Sequence, residues 1–147
     1  MAKDTNLGMH LAQESAAAGS CYGHFVLGVA HLKGENQQDR VQAVSHWRLA
    51  ASQGLASAQH NLGTMYTNGQ GLPQDHAAAL KLYQLAASQD YSPAHYSLGH
   101  VYENGLGVPQ NLPRAAQCYQ SASLQSDGEF YCDAVEALER LSHVHAL

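Results

Sequence analysis

Residues 55–90 read LASAQHNLGTMYTNGQGLPQDHAAALKLYQLAASQD, and residues 91–126 repeat the pattern as YSPAHYSLGHVYENGLGVPQNLPRAAQCYQSASLQS. The Leu-Gly pair at positions 62–63 returns 36 residues later at positions 98–99. Self-similarity at a fixed period of this size is typical of repeat proteins, whose units bury their apolar faces by stacking on one another. The sequence therefore predicts tandem repeats of about 36 residues.

A third copy of the pattern covers residues 20–54 and is one residue shorter. One position in the second half of the repeat is always aromatic and recurs at intervals of 36 residues as Trp47, Tyr83 and Tyr119. The missing residue of the first copy lies in the turn that follows Gly34. Three copies in register make a chance resemblance between these segments improbable, so the register defines equivalent positions along the chain.

Each copy is predicted to form a helix, a turn and a second helix. In the middle copy, apolar residues at helical spacing predict a first helix over residues 56–67. Gly69 and Gly71 favour a helix end and a turn, and Asp75 is expected to cap the second helix through backbone N–H groups. The equivalent caps of the other copies are Asp39 and Asn111. The second helix is predicted to bury Ala79, Tyr83, Ala86 and Ala87.

Gly63 and Gly99 fall in the middle of predicted helices, where glycine costs up to about 1 kcal/mol relative to alanine. Their recurrence predicts that a neighbouring helix packs closely against these positions. The alanine pair of the second helix, Ala50-Ala51 in the first copy, is expected to allow the same close approach on its other side.

The two ends are predicted to be partial repeats within one repeat domain covering residues 1–147. Residues 4–19 align with a second helix alone, with Ala12 and Ala16 at buried positions. Residues 127–147 contain apolar residues at helical spacing without the Leu-Gly pattern, and are expected to form a capping helix. The boundaries in between are 20–54, 55–90 and 91–126. Either a fragment of a longer array or a small protein with an abbreviated cap would explain this layout.

The Ala-rich start, Leu-Gly-x-x-Tyr, Gly-x-Gly turn and Ala-Ala pair of residues 55–126 resemble the SEL-1-like repeat (SLR) family, a relative of the tetratricopeptide repeats. The first copy departs from the pattern because His31 replaces the tyrosine and the second turn glycine is missing. The resemblance implies an all-α, right-handed α/α superhelical solenoid with a concave groove. It also implies an adaptor or scaffold that binds a peptide or a partner protein.

Composition excludes several other classes of function. The 147 residues are 45% hydrophobic and 13% charged, which indicates a globular chain. A net charge of -5 without clustered Lys and Arg argues against nucleic acid as a partner. No apolar run is long enough to span a membrane, and the first ten residues do not resemble a signal peptide. The sequence thus predicts an intracellular, cytoplasmic protein, and the three cysteines are expected to be ordinary thiols.

The partner-binding surface is expected on the concave side, where the first helix of each repeat exposes residues that packing does not require. Phe25 and Tyr96 are expected to insert between side chains of a bound segment, because aromatic residues are frequent in binding hot spots. The complete prediction is Tyr22, Phe25, Val29, Lys33, His60, Thr64, Asn68, Tyr96, His100, Glu103 and Asn104. The alternatives are ordinary contacts between repeats, or a groove filled by the chain's own C-terminal helix.

Catalytic and metal chemistry find little support in the sequence. The sequence contains ten histidines, and His10 and Glu14 share a helix face at a spacing that can bind zinc, but no third ligand is indicated. His143 and His145 would point apart on a helix and could chelate only in a flexible tail, and His95 and His100 lie on different faces. No nucleophile motif or phosphate-binding loop is present, so no catalytic residue and no cofactor are predicted. Two alternative functions remain: a self-associating structural solenoid and, as the resemblance to bacterial SEL-1-like repeat proteins implies, a hydrolase-like repeat protein that binds small ligands or cell-wall fragments.

Overall fold

The computed structural model describes residues 2–34, 36–125 and 130–145. Within these ranges the chain forms eight α-helices and no strand, which confirms the predicted all-α fold. The helices are α1 (Ala2–Ala17), α2 (Cys21–Leu32), α3 (Gln37–Ser52), α4 (Ala56–Asn68), α5 (His76–Ala87), α6 (Ser92–Asn104), α7 (Leu112–Ser123) and α8 (Tyr131–His145). They divide into two compact units, a first unit up to Asp75 and a second unit from His76.

In the first unit, each helix packs on the next along the chain, from α1 to α4. The isolated helix predicted at the start is present as α1, and it buries Ala12 and Ala16 against Leu27 of α2. Trp47 of α3 is 2% exposed and lies against Gly28 of α2. A side chain at position 28 would collide with the indole ring, so the glycine of the Leu-Gly pair makes room for the aromatic residue.

The second unit repeats this arrangement with α5 on α6, α6 on α7 and α7 on α8. Tyr119 of α7 is 1% exposed and lies against Gly99 of α6 as Trp47 does against Gly28. The predicted C-terminal capping helix is present as α8. It buries Ala134, Ala137 and Leu141, which follow the helical spacing read from the sequence.

The turns of the two complete repeats are nearly identical. Gly69 and Gly105 end α4 and α6 with φ of 64° and 65°, a left-handed conformation that glycine adopts without steric cost. Each turn is then closed by a glutamine whose side-chain amide donates to a carbonyl in the last turn of the helix. Gln74 bonds the Thr67 carbonyl at 2.8 Å, and its equivalent, Gln110, bonds the Glu103 carbonyl at 2.8 Å.

The helix caps agree with the sequence at one position and differ at another. Asn111 caps α7 as predicted, because its side chain accepts the N–H of Arg114 at 3.0 Å, and α5 begins immediately after Asp75. The prediction of Asp39 as a cap was wrong. Asn36 caps α3 and accepts the N–H of Asp39 at 2.8 Å, which places Asp39 within the first helical turn.

The shortened first turn explains this difference. The first repeat lacks the left-handed glycine, and Lys33 ends α2 in a right-handed conformation instead. The chain can then enter the next helix earlier, so α3 has 16 residues whereas α5 and α7 have 12 each. Most of the additional length lies at the start of α3, where the repeat register aligned Asp39 with a cap.

Candidate binding site

An open cavity of about 220 Å³ lies in the first unit, where α2 and α4 flank Trp47 of α3. We call it the α2–α4 cavity. Its lining is mainly apolar, with polar groups from α4 and from the turn that follows it. The lining residues are Val29, Leu32, Trp47, His60, Asn61, Thr64, Met65 and Gln70.

Helical spacing brings these side chains to one side of each helix. Val29 and Leu32 are three residues apart on α2, and His60 and Thr64 are four apart on α4, so each pair shares a face. Thr64 donates its hydroxyl to the His60 carbonyl at 3.2 Å, one turn earlier in the helix. The Thr64 hydroxyl is therefore engaged within α4.

Two nearly inaccessible side chains, Trp47 and Met65, provide apolar walls. Each is 2% exposed, so their positions are set by packing within the unit rather than by solvent. The indole N–H of Trp47 donates to the Phe25 carbonyl at 3.3 Å, which fixes the plane of the ring. A rigid aromatic wall of this kind is the usual complement of an apolar anchor side chain.

His60 is the ionisable group of the cavity. Burial lowers the pKa of its imidazole, and a hydrogen bond with Asn61 acts in the opposite direction. A lowered pKa makes the neutral ring the dominant form at pH 7, and a neutral imidazole has one donor and one acceptor nitrogen. The site is therefore suited to a neutral polar ligand group better than to a carboxylate.

Three of the residues predicted for partner binding, Val29, His60 and Thr64, line this one cavity. The other predicted residues of the first unit do not line it. Phe25 is half-buried and accepts the Trp47 hydrogen bond through its backbone. The remaining three are on the surface: Tyr22, Lys33 and Asn68.

In the second unit, two predicted residues contact the segment that begins at Phe130. Tyr96 stacks on the Phe130 ring with centroids 5.1 Å apart, and it also meets Tyr119 at 5.5 Å. Glu103 accepts the Tyr119 hydroxyl at 2.6 Å and forms an ion pair with Arg140 of α8 at 2.8 Å. Tyr96 and Glu103 are therefore engaged by the C-terminal segment of the same chain.

The other predicted residues of the second unit, His100 and Asn104, are exposed and one turn apart on α6. The Asn104 side-chain amide donates to the His100 carbonyl at 3.0 Å, which leaves its amide oxygen as an acceptor for a ligand. Together these two residues form a small polar surface at the end of α6.

A second depression, of about 350 Å³, is formed by α5, α6 and α7 and was not predicted from the sequence. It brings His95 and Cys118 to one surface, the residue types of a nucleophile and a base. Burial raises the pKa of the Cys118 thiol, and the nearby Arg114 only partly opposes this. A thiol with a raised pKa is protonated at neutral pH and is a poor nucleophile, so Cys118 is not an activated thiol.

Sequence reasoning missed the parts of the α2–α4 cavity that lie outside the predicted row of first-helix positions. Trp47 was assigned to packing, and Asn61, Met65 and Gln70 were not considered for binding. The recurring aromatic position was a usable signal, because Trp47 both packs against Gly28 and lines the cavity. The turn residue Gln70 carries no such signal.

Comparison with known proteins identifies the repeat. The model of the Sel1 repeat matches residues 1–20, 21–55, 56–91 and 92–127. The chain belongs to the Sel1-repeat family. The matched spans also confirm the repeat length of about 36 residues that the sequence indicated. No curated protein shows a significant match to the chain.

Two solved structures show the same Sel1-repeat fold. One is c5321, a protective antigen of uropathogenic Escherichia coli strains with an SLR fold, which matches with a TM-score of 0.85 and 27% identity. The match covers 92% of this chain and 28% of c5321, so this chain spans less than a third of that protein. The other is a Sel1 repeat protein from Oxalobacter formigenes, with a TM-score of 0.73, 31% identity and coverage of 88% of this chain and 95% of that one.

Membership of the Sel1-repeat family assigns the recurring residues to the scaffold. The Leu-Gly pairs, the aromatic row (Trp47, Tyr83 and Tyr119) and the turn glycines define the fold. This fold commonly serves as a protein-interaction module. None of the described helices is both long and apolar enough to cross a membrane. What distinguishes this Sel1 chain must therefore be sought at the positions between the repeat residues, such as those that line the α2–α4 cavity.

Proposed function

We propose that this Sel1-repeat chain is a non-catalytic adaptor or scaffold, and that the α2–α4 cavity receives an apolar anchor side chain of a peptide or partner protein. The observation that carries the proposal is the convergence of Val29, His60 and Thr64 on one open, mainly apolar cavity beside a rigid indole ring. These three positions follow from the repeat register alone, as residues that packing does not require.

The size of the cavity favours a single side chain over a small molecule. Pockets for small molecules typically measure roughly 300–1,000 Å³, and the α2–α4 cavity is smaller at about 220 Å³. A cavity of about 150 Å³ already holds a benzene molecule. One aromatic or branched aliphatic side chain would therefore fill most of the space, as an anchor residue does in a protein interface.

The polar groups at the cavity would orient the segment that carries the anchor. The Gln70 amide can pair with backbone N–H and C=O groups beside the anchor, whereas Asn61 and His60 hydrogen-bond each other at the cavity. A charged anchor would lose its hydration against Trp47 and Met65 without an ion of opposite charge among the lining residues. We therefore expect an uncharged ligand sequence at this point.

The proposed binding surface extends beyond the cavity within each unit. In the first unit it includes the exposed residues Tyr22 and Lys33, with Phe25 and Asn68. In the second unit it includes His100 and Asn104, whereas Tyr96 and Glu103 are engaged with Phe130 and Arg140. We further propose that the chain acts as one repeat domain inside the cell.

The test is a selection of peptides that bind the wild-type chain, followed by affinity measurements on two variants. Thr64→Arg places a long charged side chain in the cavity, and Ser45→Arg adds the same group to an exposed position of α3. Affinity for the selected peptides should fall at least about tenfold with Thr64→Arg, the loss expected for a hot-spot position, and remain unchanged with Ser45→Arg. Equal affinity of the two variants would contradict the proposed site.

Self-association is a second candidate, favoured by the apolar surface of α1. Leu7 and Leu11, four residues apart on one helix face, are 57% and 55% exposed. An uncovered apolar face on a repeat helix is suited to stacking on another copy. Light scattering over a range of concentrations tests this, since a dimer that is lost in Leu7→Gln would support it and a constant monomer mass would oppose it.

A further inference from the structure

The first and last helices correspond to opposite halves of a repeat. Helix α1 aligns with the second helices of the repeats, since Gly19 after α1 lies 35 residues before Gly54 after α3. The last matched repeat ends at residue 127, so α8, which follows it, occupies the position of a first helix. The described part of the chain therefore has a second helix without its first helix at one end, and a first helix without its second helix at the other.

The exposed apolar face of α1 is the surface that a first helix covers in a complete repeat. Leu11 of α1 is 55% exposed, and its equivalent in α3, 35 residues later, is His46. His46 is half-buried because its ring stacks on His24 and His31 of α2, with centroids 5.5 Å apart in both cases. The first helix of that repeat thus covers the position that Leu11 leaves exposed.

Leu7, one turn before Leu11, leads to the same surface. The repeat register aligns Leu7 with Arg114 of α7. The Arg114 guanidinium lies over the Tyr102 ring of α6, 4.8 Å from its centroid, and α6 is the first helix of the same repeat. Leu7 and Leu11 therefore form an apolar face at the two positions where a second helix meets its first helix. We call it the α1 face.

Helix α8 has the matching surface. Tyr131, Val135 and Leu138 are spaced by four and three residues, so they share one side of the helix, and each is at least partly exposed. The register of 36 residues aligns Val135 with Gly99 and Leu138 with Tyr102. In α6 these two positions contact the second helix of the same repeat, α7. We call the three apolar residues of α8 the α8 face.

The sizes of the side chains at the two ends are also complementary. In the complete first and third repeats a large ring, Trp47 or Tyr119, lies against a glycine of the first helix. At the ends of the chain the sizes are reversed, because α1 has Ala12 at the aromatic position and α8 has Val135 at the glycine position. A valine would collide with an aromatic ring at this distance, but it fits against an alanine. The α8 face is thus better matched to α1 than to the second helices that carry a ring.

We propose that the α8 face of one copy of this chain packs on the α1 face of another copy, so that the two helices complete one Sel1 repeat. The contact is head-to-tail, because each copy contributes a different surface, and it can therefore continue to further copies. One pair of helix faces buries less than the roughly 1,200 Å² of a stable complex, so we expect reversible association. This inference rests on the self-association candidate described above and is independent of the α2–α4 cavity.

The experiment measures molar mass by light scattering for the full chain at concentrations up to about 1 mM, which covers dissociation constants up to that value. Leu11→Asp introduces a charge into the α1 face, and Leu138→Asp introduces one into the α8 face. Burying an unpaired carboxylate in an apolar contact is costly, so each variant alone should associate at least about tenfold more weakly than the wild type.

The decisive sample is an equimolar mixture of the two variants. Leu138→Asp retains an intact α1 face and Leu11→Asp retains an intact α8 face, so the mixture should form a dimer with the affinity of the wild-type contact. The dimer should not grow further, because its two outer faces carry the substitutions. Circular dichroism confirms the fold of each variant, and Tyr131→Asp replaces Leu138→Asp if that variant does not fold.

Matched controls place the same charge on the same helices outside the two faces. Gln13→Asp on α1 and Val144→Asp on α8 substitute exposed residues, and both variants should associate as the wild type does. Loss of association in either control would overturn the assignment of the faces.

The remaining outcomes separate this inference from self-association in general. A constant monomer mass of the wild type at all concentrations would overturn both. Wild-type association of Leu138→Asp alone would show that α1 pairs without α8, which overturns the head-to-tail contact and leaves self-association standing. A mixture that stays monomeric would overturn the pairing of the two faces. Weak association of each variant alone, with a dimer in the mixture, would establish it.

Discussion

In the first unit the aromatic residue of the second repeat helix is Trp47, and at the equivalent position of α7 in the second unit it is Tyr119. Both rings lie against the glycine of a Leu-Gly pair, but their polar atoms have different partners. The indole N–H of Trp47 bonds the Phe25 carbonyl at 3.3 Å, whereas the Tyr119 hydroxyl donates to the Glu103 carboxylate at 2.6 Å. One repeat position thus supports two environments.

The difference decides what each surface can do. The Trp47 hydrogen bond is made to the backbone, and the Trp47 ring also borders the open α2–α4 cavity. The Tyr119 hydroxyl donates to Glu103, and the same carboxylate forms an ion pair with Arg140 of α8. The Trp47 surface thus borders an open cavity, whereas the Tyr119 surface is engaged by α8 of the same chain.

The largest effect is expected from removing the ring at either position. Trp47→Ala and Tyr119→Ala should each lower the free energy of unfolding by about 3–5 kcal/mol, the cost of truncating a buried aromatic residue. Urea denaturation followed by circular dichroism measures the loss. Tyr22→Ala is the matched control, since its ring is 68% exposed, and it should change the free energy by less than about 0.5 kcal/mol.

A smaller loss is expected from filling the space that the rings occupy. A Cβ at position 99 would lie 2.6 Å from the Tyr119 ring, and one at position 28 would overlap Trp47. Gly28→Ala and Gly99→Ala should each cost about 1–3 kcal/mol through overpacking. Gly8→Ala has no atom within 4 Å of its Cβ, and it should instead stabilise α1 by up to about 1 kcal/mol. Equal effects at all three glycines would contradict the packing role.

The closed surface of the second unit can be tested through its ion pair. Arg140→Gln removes the partner of Glu103 and should destabilise the second unit by about 0.5–1 kcal/mol, because the Arg140 side chain is exposed. The effect should shrink in high salt, which screens exposed charges. Thermal unfolding of wild type and variant at low and high salt measures both quantities. A loss that is independent of salt would show that the packing of the Arg140 stem matters instead.

Acid should weaken the first unit through His46 and His60. Both have a pKa lowered by burial in the folded chain, so the unfolded chain binds more protons once the pH falls below about 6.5. The free energy of unfolding should therefore decrease as the pH falls through this value. Urea titrations at pH 7.5 and 5.5 measure the decrease. It should be smaller in His60→Gln, whereas His10→Gln, at an exposed position, should retain it.

Much of the fold follows from the sequence because the repeat register fixes which residues must be buried. The helices, the aromatic row, the left-handed glycines and the isolated helix α1 were all predicted from that register. The start of α3 was not predicted, because the shortened turn of the first repeat lacks the left-handed glycine that ends the first helix of the other repeats. The role of a residue can therefore be inferred from the equivalent residue of another repeat only where the connecting turns have the same length.

The candidate site is less predictable for a different reason. Val29, His60 and Thr64 were selected because the scaffold does not need them, which identifies a surface without describing its shape. Whether Tyr96 and Glu103 are open or covered depends on Phe130 and Arg140, which lie outside the repeat pattern. Likewise, the stacking of His46 on His24 depends on how two helices face each other, which no spacing within one helix shows.

The glutamine that closes the turn of each complete repeat affects how repeat arrays can lengthen during evolution. Gln74 bonds Thr67, and Gln110 bonds Glu103, so in each case both partners belong to the same 36-residue segment. A duplicated segment would thus contain both partners of the hydrogen bond that closes its turn. New contacts would be required only on the two faces that pack against neighbouring segments. Arrays of different length can then arise by copying whole segments, with each copy later free to acquire its own ligand.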